Sequence, residues 1–237
     1  MEAQKKTAII TGASRGIGKA CALGLAELGY HCILISRSLE LLEEVAQQIH
    51  RSGGESSLFA VDLTKESELL ECIQKVKQHY PRINVLVNNA GMYIGGNLQM
   101  ETDDFRLQME LNLMANFNLL KDVVPIMKAQ KSGHIFNIAS RAGKIGFSNS
   151  GAYSASKFGL VGLSESLYRE LAEFGISVTA ICPGWVATEM ADMAGSPLPN
   201  DEMIQPEDIY RTMKYLLELA PNTRIKEIII EARESIT

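Results

Sequence analysis

Short apolar runs of the kind that form β-strands alternate with helical segments along the whole chain, and this alternation constrains the fold more than any other feature. The seven apolar runs lie at 7–11, 31–36, 57–61, 83–87, 134–139, 176–181 and 225–230. Helical segments are predicted at 17–28, 39–50, 66–79, 103–130, 152–174 and near 206–219. Buried strands that alternate with helices form a parallel sheet covered on both faces. The pattern therefore predicts one α/β domain over 1–237, a doubly wound Rossmann fold with a seven-stranded parallel sheet.

Composition excludes several classes of function. The net charge of −5 gives no sign of a basic face, so nucleic acid and anionic membranes are not expected partners. No apolar run approaches the length that crosses a bilayer, and residues 1–10 contain no signal-peptide core, so a cytoplasmic protein is expected. The four cysteines have no CxxC spacing, are expected to be reduced and partly buried, and predict no metal site: Cys21, Cys32, Cys72 and Cys182.

The turn after the first strand has the features of a phosphate-binding loop. Its sequence, Thr11-Gly12-Ala13-Ser14-Arg15-Gly16-Ile17-Gly18, places three glycines between a strand and a helix. Glycines let the backbone approach a pyrophosphate closely, and the following helix directs free N–H groups at that anion. The same residues match G-x-S-x-G of serine hydrolases, but a triad needs a later histidine, and the last one is His134.

The end of the second strand predicts which dinucleotide binds. NAD-binding folds carry an acidic residue there for the ribose 2′-hydroxyl, whereas this chain has Ser36-Arg37-Ser38. Arg37, together with Arg15 of the glycine loop, is positioned to bind a 2′-phosphate instead. A charged hydrogen bond of about 1.5–3 kcal/mol would favour NADP(H) over NAD(H) by roughly 10- to 150-fold.

A tyrosine and a lysine one helical turn apart form the candidate chemical centre. Tyr153 and Lys157 share one face of the predicted helix, and Ser140 follows the strand that ends at 139. A free tyrosine has a pKa of about 10, and we expect Lys157 and a nicotinamide's positive charge to lower it. The combination of Tyr153, Lys157 and Ser140 with the glycine loop indicates acid–base chemistry by Tyr153 beside a bound dinucleotide.

With these motifs, the chain resembles the short-chain dehydrogenase/reductase family over nearly its whole length. The resemblance is carried by the glycine loop 11–18, Asp62, Asn88-Asn89-Ala90-Gly91, Asn112, Ser140, Tyr153, Lys157, Pro183-Gly184 and Thr188. It implies that Tyr153 is the general acid, that Ser140 orients the substrate oxygen, and that Lys157 holds the nicotinamide ribose. Asn112 is implied to support a proton-relay water beside Lys157.

The resemblance also implies a set of cofactor contacts. Asp62 would bind the adenine amino group, Asn89 and Ala90 the adenosine ribose, and 183–188 would flank the nicotinamide. For Asn88, a structural role is as consistent with the sequence as a functional one. The complete predicted cofactor set is Gly12, Ser14, Arg15, Gly16, Ile17, Gly18, Ser36, Arg37, Asp62, Leu63, Asn89, Ala90, Gly91, Tyr153, Lys157, Pro183, Gly184, Val186 and Thr188.

The substrate is the open question of the sequence. The general likeness is to 3-oxoacyl-(acyl-carrier-protein) reductases, in which a basic residue commonly precedes the glycine after the tyrosine's helix. Phe174 precedes Gly175 here, and the last apolar run is followed by Glu231-Ala232-Arg233-Glu234 instead of the usual glycines, so a reductase of a small free ketone or pterin fits as well. A catalytically silent NADP-binding regulator is the alternative from another class, although such proteins lack the tyrosine or lysine.

Two further expectations concern structure around the site. Residues 189–205, rich in glycine, proline and methionine, are predicted to form a mobile lid over the substrate. The resemblance implies a homodimer or homotetramer joined through the long helices at 103–130 and 152–174.

Overall fold

Seven parallel strands form one sheet in the structure, a computed structural model that describes residues 5–235. The strands are β1 (Thr7–Thr11), β2 (His31–Ser36), β3 (Glu55–Ala60), β4 (Val85–Asn88), β5 (Gly133–Ile138), β6 (Ile176–Pro183) and β7 (Glu227–Ile230). Their order is β3-β2-β1-β4-β5-β6-β7, and all six pairings are parallel. The predicted fold class, a doubly wound single domain, is confirmed, and each strand end lies within two residues of its predicted place.

Helices cover both faces of the sheet. They are α1 (Gly16–Glu27), α2 (Leu39–Arg51), α3 (Glu66–His79), α4 (Thr102–Met109), α5 (Ala115–Gln130), α6 (Gly151–Glu170), α7 (Glu189–Met193) and α8 (Pro206–Glu218). The single helix predicted over 103–130 is wrong in one respect, because a π-helical turn at Glu110–Met114 separates α4 from α5. Hydrophobic periodicity does not reveal one extra residue per turn, and such turns are frequent at functional sites.

Strands β1 to β6 supply side chains to two hydrophobic cores, one on each face, and β7 supplies them to one. Neighbours such as Ile9 and Ile10 point to opposite sides, since successive strand residues face opposite ways. The core that contains Ile10 also takes residues from α1, α2 and α8. The core that contains Ile9 takes residues from α3 and α5, with α6 packed against it. Burial on both faces explains why the strands are nearly continuous apolar runs.

The strand order places the candidate residues at one edge of the sheet. β1 and β4 are neighbours, and the chain leaves them toward opposite sides, which opens a crevice beyond their carboxyl ends. Thr11 closes β1, Asn88 closes β4, and Ser140 and Pro183 lie at the same ends of β5 and β6.

The structure shows the state of the cysteines and allows a search for metal clusters and membrane-spanning helices. All four cysteines are free and buried. Within residues 5–235 no three His, Cys, Asp or Glu side chains group in a way that could hold a metal ion. No helix in that same part of the chain combines the length and the apolarity needed to cross a membrane.

Candidate active site

Tyr153 and Lys157 lie on one face of α6, close to the start of that helix. The Lys157 side chain is buried, and its Nζ lies 5.7 Å from the centroid of the Tyr153 ring. The same Nζ donates a hydrogen bond of 2.8 Å to the backbone oxygen of Ile138, the last residue of β5. The lysine is therefore anchored to the sheet edge beside the phenol.

Ser140 reaches this pair from the end of β5. It begins a short 3₁₀ turn, and its Oγ accepts a hydrogen bond of 3.0 Å from the backbone N–H of Ala142. A hydrogen-bonding interaction also links the Ser140 and Tyr153 side chains. The structure thus brings together the two hydroxyl groups that the sequence predicts at the carbonyl oxygen.

The acidity of Tyr153 differs from the sequence expectation. Burial raises the pKa of Tyr153, the interaction with Ser140 opposes that effect, and the phenol of Tyr93 adds to it. Lys157 was expected to lower this pKa, but the lysine itself has a pKa of about 8 and is already neutral when the phenol of Tyr153 ionises, so it does not lower that pKa. A raised pKa keeps the phenol protonated near neutral pH, which is the form that can donate a proton.

Lys157 has an altered proton affinity of its own. Burial lowers its pKa to about 8, and the neighbouring Cys182 acts weakly in the opposite direction. The ammonium is consequently still mostly charged at pH 7.

Asn112 lies in the π-helical turn and connects α6 to the segment after β4. Its Oδ1 accepts from the backbone N–H of Met92 at 2.8 Å, and its Nδ2 donates to the Met92 oxygen at 3.0 Å and to Ser156 Oγ at 3.1 Å. A Cβ at Gly91 would lie 3.2 Å from Asn112 Oδ1 and 3.6 Å from Lys157 Nζ. Asn112 therefore holds the chain after Gly91 close against the lysine.

The glycine loop has the geometry that a pyrophosphate needs. Gly12 and Gly16 adopt positive φ values of 63° and 53°, and a Cβ at Gly18 would collide with the Gly12 carbonyl. α1 begins with no side-chain cap and no acidic residue in its first turn. Its first N–H groups are left for an anion, so the loop fits a dinucleotide phosphate.

Thr11 and Asn89 fix this loop to the end of β4. Asn89 Nδ2 donates to the backbone oxygens of Thr11 at 3.0 Å and Gly12 at 3.2 Å. The backbone N–H groups of Asn89 and Ala90 both donate to Thr11 Oγ1 at 3.0 Å. The Asn89 amide thus shapes the loop, and sequence reasoning did not assign this role to Thr11. Asn88 makes a structural contact between β4 and β5, since its Nδ2 donates to Asn137 Oδ1 at 2.8 Å.

The residues expected around the adenosine lie after β2 and β3. Ser36 Oγ is buried and has no hydrogen-bond partner within residues 5–235. Arg37 is exposed beside it. Burial acts to raise the pKa of Asp62, but hydrogen bonds from the Thr64 hydroxyl and N–H, at 2.7 and 3.1 Å, and the charge of Arg37 lower it overall. An unpartnered hydroxyl beside an exposed guanidinium fits a ribose bearing a 2′-phosphate.

Residues 183–188, predicted to flank the nicotinamide, lie next to the glycine loop. The Gly184 N–H donates to the Ile230 oxygen at 2.8 Å, and Thr188 Oγ1 donates to the Val186 oxygen at 3.2 Å. The Thr188 methyl group would lie 3.0 Å from a Cβ at Gly16. One predicted phosphate ligand is engaged elsewhere, because the Arg15 guanidinium forms an ion pair with Glu189 at the start of α7.

The remaining predicted residues are less informative about binding. Leu63 and Val186 are buried, and Ile17 packs against the core that contains Ile10. Ser14 and Gly91 are partly exposed at the crevice.

Tyr93 is a residue of the site that sequence reasoning missed. Its ring meets the Tyr153 ring edge to face, with centroids 5.4 Å apart and planes at 78°. The only signal available was its position two residues after Gly91, which does not by itself indicate contact with α6.

Comparison with known proteins agrees with this geometry. Residues 6–198 match the short chain dehydrogenase family. A 3-oxoacyl-[acyl-carrier-protein] reductase of Synechocystis is 35% identical over 218 residues, which are 89% of this chain and 88% of that protein. A solved betaketoacyl-[ACP] reductase of Bacteroides thetaiotaomicron is 46% identical, covers 99% of both chains and superposes with a TM-score of 0.86. A metagenomic short-chain oxidoreductase solved with NADP is 36% identical, covers 95% of this chain and 96% of its own, and has a TM-score of 0.84. Together with the crevice, the glycine loop and the Tyr153–Lys157 pair, these likenesses show that the chain belongs to the short-chain dehydrogenase family of oxidoreductases.

Proposed function

We propose that the protein is an NADPH-dependent reductase that converts a carbonyl group to an alcohol. The observation that carries the proposal is the phenol of Tyr153, placed beside the Ser140 hydroxyl and one helical turn from the buried Lys157 ammonium. A catalytically silent regulator has no need of this arrangement, which costs the fold a buried charge.

A preference for NADP(H) over NAD(H) is proposed from the residues at the carboxyl ends of β2 and β3. Arg37 is exposed with no ion pair among the described side chains, Ser36 Oγ is unpartnered, and no carboxylate stands at the end of β2. Arg15, Gly16, Ile17 and Thr188 would hold the phosphates, and Asp62 and Leu63 the adenine. The metagenomic relative solved with NADP supports this assignment.

The residues of this chain supply the proton and the charge stabilisation. When bound, the dinucleotide supplies the hydride that reaches the carbonyl carbon. Tyr153 Oη donates its proton to the carbonyl oxygen, while Ser140 Oγ donates a hydrogen bond to the same oxygen as negative charge develops there. Lys157 keeps its positive charge near the phenol and stabilises the phenolate left behind. Asn112 holds the segment at Gly91 that closes this side of the crevice.

A 3-oxoacyl thioester is the first substrate class that we propose. The relatives from Synechocystis and Bacteroides thetaiotaomicron are reductases of such groups on acyl carrier protein. A small free ketone is the second class, and one observation favours it: Phe174 is apolar where carrier-binding relatives commonly have a basic residue. The Lys128 ammonium lies 4.6 Å from the Phe174 ring centroid, but it is bonded to Glu170 at 3.0 Å and partly neutralised.

The lid and the assembly are also proposed. Residues 189–205 begin with α7 and are fastened at their far end, where Ile204 N–H donates to the Trp185 oxygen at 3.0 Å. Met193 between these anchors is 65% exposed and available to cover an apolar substrate.

A cleft of about 240 Å³ between α5 and α6, flanked by the exposed Phe117, supports a dimer through these helices. A solution mass equal to one 26.0 kDa chain would contradict that assembly.

The decisive experiment measures NADPH consumption with acetoacetyl thioesters, free ketones and aldehydes, for the wild type and for Tyr153→Phe. We expect turnover by the wild type and a loss of at least about 100-fold in the variant, because the phenyl ring has no proton to donate. NADPH should bind both proteins with similar Kd, since the substitution removes one hydroxyl only. Turnover by Tyr153→Phe at a near-normal rate would refute the mechanism, and a wild type that binds NADPH but reduces nothing would favour the regulator.

A further inference from the structure

Tyr93 is the nearest aromatic neighbour of the catalytic phenol, and none of the roles above accounts for it. It lies in the segment that leaves β4 after Gly91, and its ring presents an edge-to-face contact to Tyr153 at 5.4 Å. Such aromatic pairs have a preferred geometry and resist rotation of either ring.

The Tyr93 hydroxyl is tied to the residues directly before α6. It donates to the backbone oxygen of Asn149 at 3.1 Å and lies 3.4 Å from Ser150 Oγ. Asn149 has a φ of 57°, a left-handed conformation that asparagine tolerates better than most residues and that sets the direction in which α6 begins.

Backbone hydrogen bonds extend the same connection. The Gly96 N–H donates to the Asn149 oxygen at 2.8 Å, and the Gly151 N–H donates to Asn97 Oδ1 at 2.7 Å. The segment 93–97 is thus bonded to the first residues of α6, two positions before Tyr153. The Tyr93 ring is held from both ends.

Resting on the proposed reductase activity, we propose that Tyr93 is a positioning residue that fixes the Tyr153 phenol in the direction of the carbonyl oxygen. Tyr153 has two rotatable side-chain bonds, and proton transfer requires its oxygen within hydrogen-bond reach of the substrate. Lys157 lies over the Tyr153 ring, with its Nζ 5.7 Å from the centroid, but that Nζ is bonded to the Ile138 oxygen. Among the described residues, Tyr93 is the aromatic side chain in contact with the Tyr153 ring.

The phenol of Tyr93 also has an electrostatic effect that can be measured separately. It raises the pKa of Tyr153, after the larger effect of burial and against the interaction with Ser140. The other titratable groups at this place are Lys157 and, beyond it, Cys182. In reduction Lys157 must be charged and Tyr153 protonated, so activity falls first as pH rises through the Lys157 pKa of about 8. The fall that Tyr153 causes lies at higher pH, and removing the second phenol should move that fall to lower pH.

The experiment compares Tyr93→Leu, Tyr93→Phe and the control Tyr215→Leu, which removes an exposed tyrosine on α8. For Tyr93→Leu we expect kcat to fall roughly 3- to 10-fold, the range that loss of one aromatic pair gives. KM should change less, and the Kd of NADPH should stay within about twofold, because these depend on other contacts. Tyr93→Phe keeps the ring and should recover most of kcat while its alkaline limb moves to lower pH. The control should match the wild type.

The outcomes separate the two proposals. A wild type without carbonyl reductase activity removes the proposed function and this inference with it. An active wild type whose kcat is unchanged in Tyr93→Leu overturns the positioning role alone. If Tyr93→Leu does not fold, Tyr93→Phe decides, and a kcat that falls threefold or more although the ring is kept overturns the proposal.

Discussion

The two sides of the crevice differ in how their polar groups are satisfied. On the catalytic side, Asn112, Lys157 and Ser140 are all bonded to backbone atoms of this chain. On the adenosine side, Ser36 Oγ has no partner within residues 5–235, and Arg37 is exposed without an ion pair there. The catalytic side is therefore organised by the fold at Asn112, Lys157 and Ser140, although Asn88 Oδ1 and Ser154 Oγ are also buried without a partner. On the adenosine side, Ser36 and Arg37 are left for a ligand to complete.

This difference decides what a substitution does on each side. Removing a group from the organised side should change both chemistry and stability, because its partners stay behind in the core. Exchanging a charge on the open side should change ligand choice and leave the fold alone. Three variants test the contrast, beginning with the largest expected effect.

Lys157→Met should change both activity and stability, and its effect should be the largest of the three. We expect a loss of activity of at least about 100-fold, since the charge that stabilises the phenolate is gone. Burial lowers the pKa of Lys157 to about 8 from an ordinary value of 10.5, so the folded protein binds this proton less tightly than the unfolded chain does. The cost of the buried charge is complete below pH 8 and disappears as pH rises toward 10.5. The wild type should gain about 3 kcal/mol at most relative to Lys157→Met between these pH values.

Urea unfolding of both proteins from pH 7 to pH 10.5 measures this change. Lys131→Met is the matched control, because Lys131 is exposed at the end of α5. If the stability difference between the wild type and Lys157→Met does not vary over this range, the buried ammonium of Lys157 does not destabilise the folded protein.

Arg37→Asp should produce the next largest effect, confined to cofactor choice. The wild type should use NADPH far better than NADH, and the variant should reverse that order, each by roughly 10- to 150-fold in kcat/KM. The aspartate would repel the 2′-phosphate and accept hydrogen bonds from the ribose hydroxyls of NADH. The unfolding midpoint should stay close to that of the wild type.

Arg82→Asp serves as control, since Arg82 is exposed ahead of β4, at the opposite edge of the sheet. It changes the net charge equally and should leave the cofactor order intact. Equal use of both cofactors by the unmodified enzyme would remove Arg37 as the selecting group.

The same contrast explains which features the sequence could predict. The strands and the parallel sheet follow from local patterns of apolar residues. The placement of Ser140, Tyr153 and Lys157 also follows from local patterns, because Ser140 lies at a strand end and the other two lie one helical turn apart. The π-helical turn around Asn112 and the Tyr93–Tyr153 contact depend on how distant segments pack. The direction of the Tyr153 pKa shift also escaped prediction, because burial raises this pKa and the spacing of Tyr153 and Lys157 does not reveal burial.

The pair between Arg15 and Glu189 joins the glycine loop to the start of α7 and so crosses the division between the two sides. Both side chains are more than half exposed. In the pair, Arg15 is held by a carboxylate of the proposed lid, and it cannot bind a 2′-phosphate fully without leaving that carboxylate. Glu189→Gln should therefore tighten NADPH binding, by no more than about fivefold because exposed ion pairs contribute at most about 1 kcal/mol.

NADH lacks the 2′-phosphate, so its Kd should hardly change in Glu189→Gln, and the gain for NADPH should shrink as salt is added. Glu207→Gln is the matched control, because Glu207 lines the same cleft of about 360 Å³ beside Gly16 and forms no ion pair with Arg15. Titration of each protein with both dinucleotides, followed by fluorescence, gives the four dissociation constants needed. Weaker NADPH binding in Glu189→Gln would mean that the carboxylate instead holds Arg15 in the position where it meets the phosphate, and the glycine loop would then belong with the organised side of the crevice.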